Sequence, residues 1–157
     1  AWAAGRIDAA ITYEPTASRL LQRQARRLFD SRALPETIFD VLAVRRDHLA
    51  DRRAAVRAAV RAHLLGLAHL RVNRGDALYR MVSQQGVSPA DVNAALAGVR
   101  LPDLARNRTL LGGERGAIRH PARTLADLMV TSGLLPRRDD LADAFVGDFL
   151  PEQEPGE

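Results

Sequence analysis

The apolar positions change character part-way along this chain. Before residue 45 they fall in short compact runs, and from residue 56 onward they recur at intervals of three and four. Residues 7–12, Ile-Asp-Ala-Ala-Ile-Thr, follow a glycine stop at Gly5 and end in a polar exit, Tyr13-Glu14-Pro15. That is the pattern of a short strand leading into a helix, because Pro15 suits a first helical turn. Arg27-Leu28-Phe29-Asp30 reads as a second short strand. Pro35 then breaks a loop. Residues 38–44, Ile-Phe-Asp-Val-Leu-Ala-Val, are β-branched and aromatic, interrupted only by Asp40, and carry the strongest strand signal.

Behind these runs the helical period takes over. Val56, Val60, Leu64, Leu67 and Leu70 form the stripe of an amphipathic helix over 51–72, with Arg53, Arg57 and Arg61 on its solvated face. Asp76 opens a helix that Gly86 stops. Ser88-Pro89-Ala90-Asp91 begins another, which Gly98 ends. A short helix follows Pro102-Asp103, residues 110–121 read as a mobile loop, and 124–132 are helical with Gly133 as the stop. The pattern therefore predicts a helix-rich α/β chain with two or three short strands in front and five to seven helices behind. No internal repeat of fixed period is present.

Composition narrows the function classes. The 157 residues allow one domain with a sizeable core, and 46% hydrophobic content is ordinary for a globular chain. There is no cysteine, which removes disulfides, thiol nucleophiles and thiolate metal sites. No apolar run reaches the roughly 20 residues that cross a bilayer. All 23 basic residues are arginine, so the high isoelectric point reflects arginine's pKa at a net charge of only +4. The arginines are interspersed with acids and aromatics make up 4%, which argues against nucleic acid as a partner.

Candidate chemistry is sparse. His48, His63, His69 and His120 show no ligand spacing, so no metal site is expected. No Gly-x-Ser-x-Gly elbow appears, and the glycine-rich 112–116 lacks the Lys-Ser/Thr of a phosphate loop. The informative group is Thr12, Tyr13 and Glu14. In an open α/β sheet, ligands gather beyond the carboxyl ends of strands. A tyrosine there can stack on a planar ligand or hydrogen-bond a polar one. Glu14 can accept from a ligand amine, or serve the following helix as a first-turn acid. Asp40, set inside an apolar run, is a weaker candidate for a cleft-facing hydrogen bond.

The order of these features resembles a known family. A helix end Ala-Gly-Arg-Ile-Asp-Ala-Ala leads to Thr-Tyr-Glu-Pro, then Leu-Phe-Asp-Ser, then Asp-Val-Leu-Ala-Val-Arg-Arg-Asp-His-Leu, a long helix and an Asn-Arg-Gly-Asp-Ala turn. This is similar to the C-terminal half of the nitrate/sulfonate/taurine-type solute-binding proteins of ABC importers, whose fold is the two-lobed type 2 periplasmic-binding-protein fold. Binders of pyrimidine precursors belong to the same superfamily. The resemblance implies that residues 1–34 end the second lobe, 35–40 cross the hinge, 41–150 return to the first lobe, and 151–157 form a disordered tail.

It further implies a non-enzymatic role without a cofactor. The chain would be a piece of the substrate-binding component of an importer, closing by hinge motion on a small polar organic solute such as a sulfonate or a pyrimidine precursor. Ligand contacts fall on Thr12, Tyr13, Glu14 and Asp40. The implied partners are that small-molecule ligand, the ABC permease subunits in the membrane, and the missing N-terminal half of the same protein. The implied place is periplasmic or membrane-associated and extracytoplasmic, with the signal peptide outside this chain. Alternative roles within the same fold are a pyrimidine-precursor synthase, a sulfinate-cleaving enzyme or the ligand-sensing domain of a signalling protein.

Overall fold

Helices end where their last carbonyls find another donor or where glycine turns the chain, and such signals are dense after residue 85. The computed structural model describes residues 1–156, the Gln85 side chain excepted. It holds seven α-helices: α1 (Thr16–Leu21), α2 (Arg46–Leu49), α3 (Arg53–Val72), α4 (Arg74–Gln85), α5 (Pro89–Ala97), α6 (Leu104–Leu111) and α7 (Arg119–Thr131). Short 3-10 turns lie at Trp2–Ala4, Ser31–Ala33 and Gly113–Arg115.

The expected two or three strands are not formed. Among the described residues there is no β-strand and no sheet, so the α/β expectation is corrected to an all-helical chain with long irregular segments. The reason is pairing. A strand exists only against a neighbour that takes its backbone N–H and C=O groups. Residues 37–45 run without helix, turn or bend, yet no backbone hydrogen bond involves 38–44. Residues 9–13 and 25–30 are likewise free of turns and unpaired in any ladder.

The chain divides into two units. The first comprises Ala1–Leu28 and Asn73–Arg100. Within it, α4 and α5 pack as a helical hairpin joined through Gly86, whose left-handed φ of 62° closes α4. Ser88 begins α5 with a full capping box: its hydroxyl accepts from Asp91 N–H at 3.1 Å, and the Asp91 carboxylate accepts from Ser88 N–H at 3.4 Å. The same carboxylate receives the Arg19 guanidinium at 2.9 Å, tying α1 to α5. Arg74 donates to Asn93 at 3.0 Å, and Ala77 and Val92 are buried.

The second unit comprises Phe29–Val72 and the chain from Leu101 onward. The α3 stripe is buried in its second half, at Leu64, Leu67 and Leu70, while Val56 and Val60 are half-buried. Asp103 caps α6 by accepting from Arg106 N–H at 2.8 Å. The 110–121 region is a tight reversal rather than an open loop. Ile118 N–H donates to Leu110 C=O at 3.2 Å, and a Cβ on Gly116 would stand 2.6 Å from that oxygen, so only glycine fits there. α7 begins five residues earlier than the pattern indicated, carrying Pro121 in its first turn, where a missing N–H costs nothing. Arg53 and Arg57 do not simply face water: their guanidinium carbons lie 4.8 and 6.0 Å from the Phe149 ring centre.

Two outcomes follow. Leu64 is 1% exposed, so Leu64→Ala should cost about 2–5 kcal/mol, which thermal denaturation would read as a fall of roughly 5 to 15 °C. The Arg19 hydrogen bond, with the Ser88 hydroxyl second, holds the Asp91 carboxyl below the ordinary aspartate range. A depressed native pKa means that the unfolded chain binds more protons in that window, so stability rises with pH there. Asp91 thus contributes above the usual aspartate value of about 3.9, and the contribution is lost as pH falls through its lowered native value. Denaturant midpoints measured through the acid range should fall less steeply for Asp91→Asn.

Candidate functional site

Residues 12–14 keep their place at the entry to α1 and line neither of the two described hollows. The Thr12 hydroxyl reaches the Tyr13 carbonyl at 3.5 Å, a marginal hydrogen bond. Tyr13 is 85% exposed, with its ring in solvent, while its carbonyl accepts from Ala17 N–H at 3.0 Å. Glu14 is half-buried and its carboxylate accepts from Ser18 N–H at 3.0 Å. Glu14 therefore acts as a cap for one of the orphan donors at the start of α1, the structural one of its two readings. Asp40 is exposed, lies in the other unit and has no counter-charge among the described residues. Thr12, Tyr13 and Glu14 come together as chain neighbours in the first unit, and Asp40 belongs to the second.

The described hollows lie elsewhere. One, of 360 Å³, is lined by Leu42, Val44, His48, Arg52, Ala55, Val56 and Ala59. The straight 42–44 run passes beside the first half of α3, and the small Ala55 and Ala59 side chains leave the space open. A smaller hollow of 250 Å³ lies in the α4–α5 hairpin beside Gly75, Leu78, Tyr79, Val82 and Pro89. Both are apolar. The first differs in carrying two nitrogen-rich side chains. Its neighbouring arginines are already partnered: Arg45 with Asp47, and Arg46 with Asp143 at 3.3 Å. Arg52 has no acidic partner among the described residues.

Sequence reasoning placed His48 only at a helix start and did not single out Arg52. The available signal was the alternation of Leu42 and Val44 followed, one helix later, by the alanine-rich face of α3. No group of three His, Asp or Glu side chains that could hold a metal occurs among the described residues, and no described helix is long and apolar enough to cross a membrane. Comparison with known proteins returns no matching family, no similar curated protein and no similar solved structure.

Because no amide of 38–44 has a backbone acceptor, hydrogen exchange across this segment should run within about tenfold of the unstructured rate. The amides of Leu64, Leu67 and Leu70 should be protected by orders of magnitude more. Strong protection of 38–44 would mean that a partner strand is in place.

Proposed function

We propose that this chain belongs to the solute-binding component of an ABC importer, capturing a small polar organic solute and passing it to membrane permease subunits. The reading starts from the order of sequence features, from Ala-Gly-Arg-Ile-Asp-Ala-Ala through Thr-Tyr-Glu-Pro to Asp-Val-Leu-Ala-Val-Arg-Arg-Asp-His-Leu. The observation that carries it is the state of Tyr13: an aromatic ring 85% exposed, next to a carboxylate pinned in place by Ser18 N–H. A ring with no packing role, carried at a helix entry, is suited to stack on a planar or amine-bearing solute.

A second observation supports a further segment of the same protein as partner. Ile11, Leu28 and Phe29 are largely exposed, and so are Ile38, Val41 and Leu42. Apolar side chains concentrated on unpaired backbone are suited to cover by another polypeptide. The solute would bind the covered, closed form best and so shift the population toward it. An extracytoplasmic location belongs to the same proposal.

Thermal-shift screening against sulfonates, pyrimidines and amino-bearing acids tests this. A true ligand at a hundredfold excess over its Kd adds about 2.7 kcal/mol, a rise of several degrees. Tyr13→Ala should weaken that ligand at least tenfold while leaving the unliganded melting temperature unchanged, since the ring is exposed. The proposal fails if no solute of these classes shifts the melting point, or if Tyr13→Ala binds equally well.

A further inference from the structure

Residues 139–157 carry only acidic charges, whereas α3 and α6 hold arginines and no Asp or Glu. Residues 149–156 are fastened to those two helices at three points. The Phe149 ring is buried, with the guanidinium carbons of Arg53 and Arg57 on α3 at 4.8 and 6.0 Å from its centre. The carbonyls of Pro151 and Glu152 accept from Arg108 on α6 at 2.8 and 2.5 Å. The Glu154 carboxylate accepts from Leu104 N–H at 3.2 Å, and Pro155 is buried.

Each polar fastening involves a side chain. Among the described residues, no backbone–backbone hydrogen bond joins 149–156 to α3 or α6, and the one the segment makes, Leu150 N–H to Gly147 C=O, is local. The segment can therefore leave without breaking a helix. Its departure would bare Arg53, Arg57 and Arg108, none ion-paired among the described residues, and the first N–H of α6. Guanidinium planes stack on aromatic rings and bond to carbonyls, and a helix start favours a carboxylate. The covering segment thus displays the chemistry that this face accepts.

We propose that the α3–α6 face is a recognition surface for extended acidic peptides with an aromatic residue five positions before a glutamate, and that residues 149–156 occupy it as a displaceable strap. An incoming peptide competes with a tethered segment at an effective concentration of about millimolar, so the strap sets the threshold for binding. The surface lies in the second unit and does not rest on the importer reading.

The test uses the full chain with Phe149→Ala and Glu154→Gln together, titrated with a synthetic peptide of residues 147–156 and followed by amide chemical shifts. The peptide should move the Leu104 and Arg108 amides saturably, and wild type should bind it at least tenfold more weakly. Peptides carrying Phe149→Ala or Glu154→Gln should bind the loosened chain at least tenfold more weakly than the parent peptide. Hydrogen exchange on wild type decides the matter whether or not the double variant folds. The Leu104 amide is held by Glu154 alone, so it should exchange at least tenfold faster than that of Leu64, and Glu154→Gln should speed it further with Leu64 unchanged. The proposal is overturned if a folded loosened chain takes up no peptide, if it self-associates over this face instead, or if wild type binds equally well. It is equally overturned if the Phe149→Ala peptide matches the parent, or if Leu104 exchanges only with the global unfolding that frees Leu64.

Discussion

The second unit depends on guanidinium groups bonding to backbone carbonyls. Among the described residues after α7 there is no helix to satisfy the chain's own oxygens, and most of the carbonyls bonded there are exposed, so the guanidinium bonds fasten the segment rather than rescue buried groups. Arg119 reaches across that gap. It donates to Gly113 C=O at 2.7 Å and to the carbonyls of Leu141 and Ala142 at 3.2 Å each, with its guanidinium 5.5 Å from the Phe145 ring centre. Arg108 donates to Pro151 C=O at 2.8 Å, and Glu154 returns the favour by accepting from Leu104 N–H at 3.2 Å at the start of α6. A planar group with five donors can serve several oxygens at once, as a compact ammonium cannot. In a chain whose basic residues are all arginine, this is how an irregular segment is fastened to helices and how Phe149 comes to be buried.

The same requirement explains the front of the chain, where it is not met internally. Residues 38–44 have as much β-propensity as any segment here, but propensity describes fit to a pleated surface and does not create one. With no neighbouring backbone in a ladder, their N–H and C=O groups have no backbone partner and most of their apolar side chains gain little burial. Arg32 and Arg45 are spent on Asp30 and Asp47 two residues away, exposed pairs of little energetic weight. No arginine bonds the carbonyls of 38–44 as Arg119 does those of 141–142.

How far the sequence could be read divides along this line. Local signals were legible: the Ser88-Pro89-Asp91 start, the Gly86 stop and the leucine spacing of α3 each name a helix through interactions spanning a few residues. Non-local ones were not. Whether residues 38–44 form a strand depends on segments far away or on another chain, and nothing within the seven residues records that. Glu14 was legible as one of two alternatives, because a carboxylate at a helix entry has only a few donors within reach. The roles of Arg108 and Arg119 were illegible for the opposite reason. Among 23 arginines, each resembles the rest until the fold shows which one faces carbonyls, which faces an aspartate and which faces neither.

The distribution of exposed apolar surface then separates what is self-sufficient from what is open. Single exposed hydrophobic residues, such as Leu65, Val99 or Val146 in the later part of the chain, are normal for any protein surface. In the first unit, by contrast, Ile11 and Tyr13 stand on one segment without a ladder, and Leu28 on another beyond α1. In the second, Ile38, Val41 and Leu42 do the same. Leu28 is 90% and Ile38 73% exposed, values that local packing has done nothing to lower. Helix caps, the Gly116 reversal and the arginine clamps hold the chain from α3 onward, although Val72, Tyr79, Leu128 and Leu134 are exposed there too. The stretch before residue 45 has no comparable internal account, and it is also where Tyr13 and the Leu42–Val44 wall stand. Recognition chemistry therefore concentrates where the chain's own hydrogen bonds leave off, because a surface already committed to its own fold has nothing to offer a ligand or a partner until the segment covering it leaves.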